Sequence, residues 1–207
     1  MLYNICYITS FILGVYLVPK QRINKEMILD VAFRLAREKG YDQVVLKSIA
    51  SEIGCSVQPI YSYFSNMNAL KDEVTGAAMK FYNEFIYTRV DNNGVLESMA
   101  RANVAFAKYE TNLFKLLFLQ KLNGLNSFND IYEWMGDKSA TKQLAARLSL
   151  TEEQVKEVYI MLIVFTHGVA TMIATGGANI SDEESSDMLE KAYSAFIGAQ
   201  RQSAALQ

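Results

Sequence analysis

The sequence has few of the residues that mark metal sites, disulfide frameworks and β-rich folds. It contains one histidine, two cysteines and two prolines among 207 residues. Two cysteines give neither a disulfide framework nor zinc-ligand spacing, and one histidine excludes a histidine-rich centre, so we expect no metal and no cofactor. A β-sandwich or barrel needs a turn every few residues, which two prolines and eleven glycines supply poorly. These absences favour a helical protein.

The rest of the composition is that of a globular protein with nearly balanced charge. Apolar residues make up 51% and charged residues 20%, which excludes a disordered chain. The net charge of −2 excludes a uniformly basic nucleic-acid coat. Residues 1–80 carry nine lysines and arginines against seven acidic residues, whereas residues 81–207 carry eleven against fifteen. The N-terminal part is therefore the better suited to approach phosphate.

Residues 2–18 form an uncharged run that Lys20 and Arg22 follow. Seventeen residues are slightly short for a membrane span, and the run lacks the basic start of a secretory signal. Three interpretations stay open: a membrane anchor, an apolar arm packed on the domain or a partner, and a non-native segment upstream of a start at Val18. We favour the third and treat residues 1–19 as an N-terminal extension.

From Asn24 onward the apolar residues recur at helical spacing, which predicts an all-α fold. Asn24 is predicted to cap the first helix, and Thr151 with Gln154 to form a capping box at the start of a long helix, while glycines mark the ends of several segments. The predicted helices cover about 24–40, 46–53, 57–64, 66–89, 95–110, 112–122, 127–136, 139–148, 151–175 and 181–202.

Residues 158–181 contain no charged side chain and are long enough to span a bilayer. The stretch also contains Thr166, His167 and a glycine pair. A helix that is apolar all round is typical of burial on two sides, here by its own domain and by a dimer partner, and we favour that interpretation. The competing one is a membrane-associated helical protein with spans near 2–18 and 158–180.

Residues 46–63 have the pattern of a helix-turn-helix. Ile49 gives the first helix an apolar face, and Gly54 supplies the left-handed turn between the helices. Ser56 is predicted to cap the second helix, and Ile60 to pack back against the first. Such a turn places a second helix in the major groove of DNA.

The outward side chains of that second helix are suited to contact DNA. The amide of Gln58 can pair with adenine, and apolar side chains can touch a thymine methyl group. Hydroxyl groups can reach phosphate. The predicted contacts of this helix are Val57, Gln58, Pro59, Tyr61, Ser62 and Tyr63.

At these residues the sequence resembles the DNA-binding domain of the TetR family of bacterial transcriptional regulators. The similar segments are ILDVAFRLAREKGYD (28–42), LKSIASEIGCS (46–56) and IYSYFSNMNALKDEV (60–74). The resemblance implies a three-helix helix-turn-helix domain over 20–75 and a helical ligand-binding and dimerisation domain over 76–207. It further implies a cytoplasmic homodimer that binds a palindromic DNA operator as a repressor, is released by a small-molecule effector, and has no enzymatic activity.

The resemblance also assigns Lys47 to the DNA backbone. Two positions depart from the family pattern. Val45 stands where the family usually has threonine or serine, so a cap and a phosphate contact are lost. Met67 stands where the family usually has lysine, and Lys71 follows one turn later.

The C-terminal part is rich in aromatic residues, from which we predict an apolar pocket and an apolar or aromatic effector. The stretch Phe165-Thr-His-Gly168 resembles a subset of the family with an apolar-x-His-Gly element in its ligand domain. Alternatives stay open: the aromatic residues as plain core, and His167 as a buried hydrogen-bonded residue or as the base of an enzyme. The resemblance implies that the last two helices form the dimer interface. The predicted pocket residues are Phe85, Tyr109, Phe114, Phe118, Trp134, Tyr159 and His167.

Overall fold

The computed structural model describes residues 23–91, 94–121, 124–136 and 138–205, and within these ranges every regular element is a helix. The predicted all-α fold is confirmed. A short 3₁₀ turn, Tyr41–Gln43, lies between the first two helices. The predicted N-terminal extension lies outside the described residues. The helices are α1 (Lys25–Lys39), α2 (Leu46–Ile53), α3 (Gln58–Tyr63), α4 (Met67–Tyr87), α5 (Val95–Tyr109), α6 (Thr111–Phe118), α7 (Phe128–Met135), α8 (Lys138–Leu148), α9 (Glu152–Ala174) and α10 (Asp182–Ala205).

Four of the long helices begin where a capping side chain stands in the sequence. In each, a side-chain oxygen accepts a hydrogen bond from the backbone N–H three residues later, which satisfies one of the free donors of the first turn. At α9 the bond is reciprocated by Gln154, which completes a capping box. The capping residues are Asn24, Asn66, Thr151 and Ser181.

The predicted cap of α3 is wrong. Val57, not Ser56, occupies the N-cap position, and no side chain caps the helix. The backbone of Val57 is already helical, with φ −70° and ψ −18°, and its carbonyl accepts the N–H of Ile60 at 3.2 Å. A cap at Ser56 would make Val57 the first helical residue, whereas the tight first turn starts the helix at Gln58. Pro59 lies within this turn, where an N–H has no intrahelical acceptor to lose.

The first four helices enclose one end of a continuous apolar core. Helix α1 packs against α2, α3, α4 and α6, so its buried face touches both parts of the chain. The innermost side chains here are Ile28, Leu35, Val44, Ile49, Ile60, Leu70 and Val74.

Helix α4 links the helix-turn-helix to the remaining helices. It packs on α1, α5 and α6. The proposed division between residues 75 and 76 falls inside α4, so both parts share one continuous helix. Beyond it, α5 and α9 make the most extensive helix pair, with α6, α7, α8 and α10 packed around α9.

Helix α9 is, within the part of the chain described, the one helix whose length and hydropathy would allow it to cross a membrane. One of its faces is buried against its neighbours, through residues such as Val158, Leu162 and Val169. Val164 and Met172 on its other side are exposed. The sequence predicts that α9 is buried on two sides, and within a single chain only one of these sides is covered.

Candidate DNA-binding surface and ligand cavity

Gly54 forms the turn between α2 and α3, as predicted. Its backbone is left-handed, with φ 76° and ψ 37°, a region that other residues enter only at a cost. The N–H groups of Gly54 and Cys55 both bond to the carbonyl of Ala50 at 2.9 Å, which closes the end of α2. A Cβ at Gly54 would meet nothing within 4 Å, so the requirement for glycine is purely conformational.

The turn leaves one face of α3 open to solvent. Ile60 is buried against the core, whereas Val57, Gln58, Tyr61 and Ser62 are exposed. Pro59 is half-buried at the edge of the same face, and Lys47 is exposed on α2. The predicted contact residues of α3 therefore lie together on a short, uncharged surface rich in hydroxyl and amide groups, with Lys47 on the preceding helix.

The two exposed tyrosines of α3 differ in their surroundings. The hydroxyl of Tyr63 donates a hydrogen bond to the carbonyl of Ile23 at 2.9 Å, which ties the end of α3 to the residue before the α1 cap. Tyr61 is the more exposed, at 54% against 44% for Tyr63. The hydroxyl proton of Tyr63 therefore already takes part in a hydrogen bond within the domain. No pattern in the sequence indicates this bond, because its two ends are forty residues apart.

The two departures from the family pattern have local consequences. Val45 is the N-cap of α2 and makes no side-chain cap. Met67 opens α4 half-buried against the core. The Nζ of Lys71 lies 4.8 Å from the ring centroid of Tyr41, a cation–π arrangement that keeps this charge close to the domain.

Charges beside the helix-turn-helix are mostly paired. The carboxylate of Glu52 on α2 accepts a hydrogen bond from Lys39 at 2.8 Å and lies 3.5 Å from Arg34. The hydrogen bond from Lys39 lowers the pKa of Glu52 below its ordinary value. Because Glu52 is ionised and neutralised by cations of α1, it repels an approaching phosphate less than a free carboxylate would.

A small apolar cavity lies between α4, α5 and α9. Its volume is about 60 Å³. It adjoins a larger cleft of about 520 Å³ that reaches α7 and α8, and four residues line both: Tyr82, Ile86, Met99 and Met135. The remaining cavity residues are Leu96, Ala100, Asn103, Tyr159, Leu162, Ile163, Thr166 and His167.

The polar groups of the cavity are neutral and incompletely paired. The amide of Asn103 donates to the hydroxyl oxygen of Tyr82 at 2.8 Å, and burial raises the pKa of Tyr82 to about 12. Asn103 Oδ1 and Thr166 Oγ1 are buried without a hydrogen-bond partner. Burial also lowers the pKa of His167, so its ring is uncharged at neutral pH.

The predicted pocket residues divide between these spaces. Tyr159 and His167 line the cavity, and Phe118 and Trp134 line the cleft. Phe85, Tyr109 and Phe114 line neither. Phe85 packs under the guanidinium of Arg89, whose Cζ is 3.6 Å from the ring centroid. Tyr109 is 63% exposed, with its hydroxyl 3.1 Å from Asp182.

Phe114 is fully buried behind the cavity wall, with its ring centroid 5.9 Å from that of His167. Most cavity residues that the aromatic pattern missed are aliphatic or methionine, but three of them carry polar groups: Tyr82, Asn103 and Thr166. Asn103 has a signal in the sequence, because it is an amide between apolar residues of α5 and faces inward. Among the described residues, no group of three or more histidines, cysteines or carboxylates is placed to hold a metal ion.

Comparisons with known proteins agree with the helix-turn-helix described above. Residues 28–74 match the sequence model of the bacterial regulatory proteins of the tetR family. The chain is 26% identical, over 174 residues and 82% of each protein, to an uncharacterized HTH-type transcriptional regulator of Haemophilus influenzae. Its fold is similar to the crystal structure of a proposed transcriptional regulator from Pseudomonas aeruginosa PAO1, with a TM-score of 0.60 and 16% identity. That likeness covers 89% of this chain and 98% of the other.

Proposed function

We propose that this chain, a transcriptional regulator of the TetR family, is a cytoplasmic homodimeric repressor that binds a palindromic operator and is released by a small-molecule effector. The observation that carries the proposal is the face of α3, which the left-handed turn at Gly54 leaves exposed beside Lys47. A short helix presented in this way is the reading element of helix-turn-helix proteins.

The side chains of α3 support a division between base reading and anchoring. Gln58 is at the first helical position, where an amide can pair with one base edge. Tyr61 and Lys47 offer a hydroxyl and an ammonium group to phosphate, which positions the protein without reading sequence. Val57 and Pro59 supply apolar contact beside them.

The exposed apolar residues of the last two helices support the homodimer. Val164 and Met172 on α9 and Met188 on α10 are exposed. Phe165 and Phe196 pack across the two helices with ring centroids 6.3 Å apart, which holds α9 and α10 together as one surface. Joining two such surfaces would cover them and place two copies of α3 on one face of the duplex.

Helix α6 supports a route from the cavity to the DNA-binding end. Its Phe118 packs edge-on against Tyr82 of the cavity, with ring centroids 4.9 Å apart. At its other end α6 packs on α1. Asn112 donates to the carbonyl of Arg37 at 2.9 Å, and the Arg37 side chain pairs with Glu110 at the α5–α6 corner. A ligand that displaces α6 would therefore also displace α1.

The test begins with capture of genomic DNA fragments by the purified protein, followed by sequencing. Competition assays on operator variants at two salt concentrations then examine Gln58→Ala. We expect a loss of about 1–3 kcal/mol on the true operator and relaxed preference at one position of each half-site. Gln143→Ala, an exposed glutamine on α8, is the matched control and should change nothing. Unchanged affinity and base preference in Gln58→Ala would refute α3 as the reading helix.

A further inference from the structure

Two of the residues that line the cavity between α4, α5 and α9 each carry a buried oxygen atom for which the protein supplies no partner. The two atoms are Oδ1 of Asn103 on α5 and Oγ1 of Thr166 on α9, and both residues line the same space. Thr166 is 4% exposed, so bulk water does not serve it. A buried polar atom without a partner is costly, and such an atom in a native protein calls for an explanation.

We propose that these two atoms recognise the hydroxyl group of an elongated, uncharged alcohol or phenol. The inference rests on the proposed function, since it names the chemical class of the effector. A hydroxyl group both donates and accepts. It can therefore donate to Asn103 Oδ1, which only accepts, and accept the proton of Thr166 Oγ1. An ether or ketone of the same shape accepts only and leaves Asn103 Oδ1 unpaired.

The charge of the cavity wall excludes ionised ligands. None of the residues that line the cavity is lysine, arginine, aspartate or glutamate. His167 adds no cation at neutral pH, because burial lowers its pKa. A carboxylate or ammonium ion placed here would lose its hydration without gaining a counter-charge.

The shape of the space favours an elongated molecule. The cavity, at about 60 Å³, accommodates the hydroxyl group and only the first few carbon atoms. The rest of the ligand can pass between Ile86, Met99 and Met135 into the adjoining cleft of about 520 Å³. The two methionines are unbranched and adaptable, so they can yield to a chain or a ring.

The proposal can be tested with two unbranched isomers of equal heavy-atom number, 1-octanol and heptyl methyl ether, of which only 1-octanol can donate a hydrogen bond. Trp134 is the only tryptophan of the chain and lines the cleft, so its fluorescence reports occupancy. We expect 1-octanol to bind about tenfold tighter than the ether, the worth of one buried hydrogen bond. Octanoate at pH 7.5 should bind more weakly than either. Equal affinity for the two isomers, or no binding of 1-octanol, would overturn the proposal.

Variants of the cavity residues test where the hydroxyl group of the ligand is recognised. Asn103→Leu, which removes the oxygen atom that only the alcohol can satisfy, should abolish most of the preference for the alcohol. Thr166→Val removes a donor that both isomers can use and should weaken the binding of both, whereas Thr166→Ser, which keeps a hydroxyl, should bind them as the wild type does. Thr171→Val is the matched control: Thr171 Oγ1 is also buried on α9 without a partner, but Thr171 does not line the cavity. If Thr171→Val weakens the binding of the isomers as much as Thr166→Val does, or if Asn103→Leu keeps the preference for the alcohol, the hydroxyl is not recognised at this site.

A parallel measurement of operator affinity separates this inference from the proposed function. If 1-octanol shows the expected preference but leaves DNA binding unchanged, the ligand class is supported and release by this ligand is refuted. If the protein binds an operator but does not distinguish the isomers, the regulator stands and the ligand class is wrong.

Discussion

The ion pair between Arg37 and Glu110 connects the last turn of α1 with the corner between α5 and α6, and its removal should weaken the link between the two ends of the protein. Arg37 Nε donates to Glu110 Oε2 at 2.7 Å, and Nη2 donates to Oε1, so the pair is a bidentate fork. This hydrogen bonding raises the pKa of Arg37, so the guanidinium stays charged throughout the physiological range.

The expected loss in the free energy of unfolding depends on how far each of the two side chains is buried. Glu110 is 11% exposed, but Arg37 is 44% exposed, so water screens the pair in part. Exposed pairs contribute about 0.2–1 kcal/mol, and breaking a buried pair costs about 3–5 kcal/mol. For Glu110→Gln, which keeps the shape and one hydrogen bond, we expect a loss of about 1–2 kcal/mol in the free energy of unfolding.

The assay is a double-mutant cycle in urea with Glu110→Gln and Arg37→Met. Methionine keeps an unbranched apolar stem near the ring of Phe81, whose centroid lies 4.7 Å from the guanidinium. We expect a coupling energy of about 1 kcal/mol. Lys39→Met, which breaks the pair with Glu52 inside the helix-turn-helix, is the control and should cost no more than about 1 kcal/mol.

The same variants test the proposed route to the DNA. Glu110→Gln should leave operator affinity of the ligand-free protein nearly unchanged, while the effector should lower that affinity less than in the wild type. The reasoning is refuted if the coupling energy is indistinguishable from zero, or if Glu110→Gln responds to the effector fully.

Three further outcomes are expected. Tyr61→Phe should weaken binding to all DNA sequences alike and leave stability unchanged, which competition assays measure; an altered base preference would contradict the assignment. Tyr63→Phe should instead lower the free energy of unfolding, measured in urea, by about 0.5–1.5 kcal/mol, because it loses the hydrogen bond to Ile23. Gly54→Ala should cost about 1–2 kcal/mol from backbone strain alone, measured in urea, and an unchanged midpoint would exclude that strain. Burial lowers the pKa of His167 in the folded state, so as the pH falls the unfolded chain binds a proton before the folded one does. Stability should therefore decrease as the pH drops below about 6.5. His167→Phe should reduce this dependence of the melting temperature on pH, and an unaltered dependence would mean that another group is responsible.

Much of the fold could be predicted because its signals are local. The cap at Asn24, the left-handed turn at Gly54 and the capping box at Thr151 each depend on a few neighbouring residues, and each is confirmed. The start of α3 was mispredicted although it is equally local. There a tight turn at Val57 and the ring of Pro59 replace the serine cap that the sequence favours.

The ligand cavity could be predicted only in part, because helical periodicity shows which face of a helix is buried but not what it meets. Phe85 and Tyr159 have similar surroundings in the sequence. One packs under Arg89, and the other lines the cavity. The difference depends on how α4, α5 and α9 are set against one another, and that is decided by contacts far apart in the chain.

The same limit explains why the informative residues of the cavity are polar. An apolar side chain on a buried face is satisfied by whatever apolar neighbour it meets, so its presence says little about a ligand. An amide or hydroxyl on that face is satisfied only by a partner at hydrogen-bond distance. Asn103 has such a partner for its N–H group in Tyr82 and lacks one for Oδ1, and Thr166 lacks one for Oγ1. The unpaired atoms, more than the aromatic lining, therefore indicate which chemical group a ligand must bring.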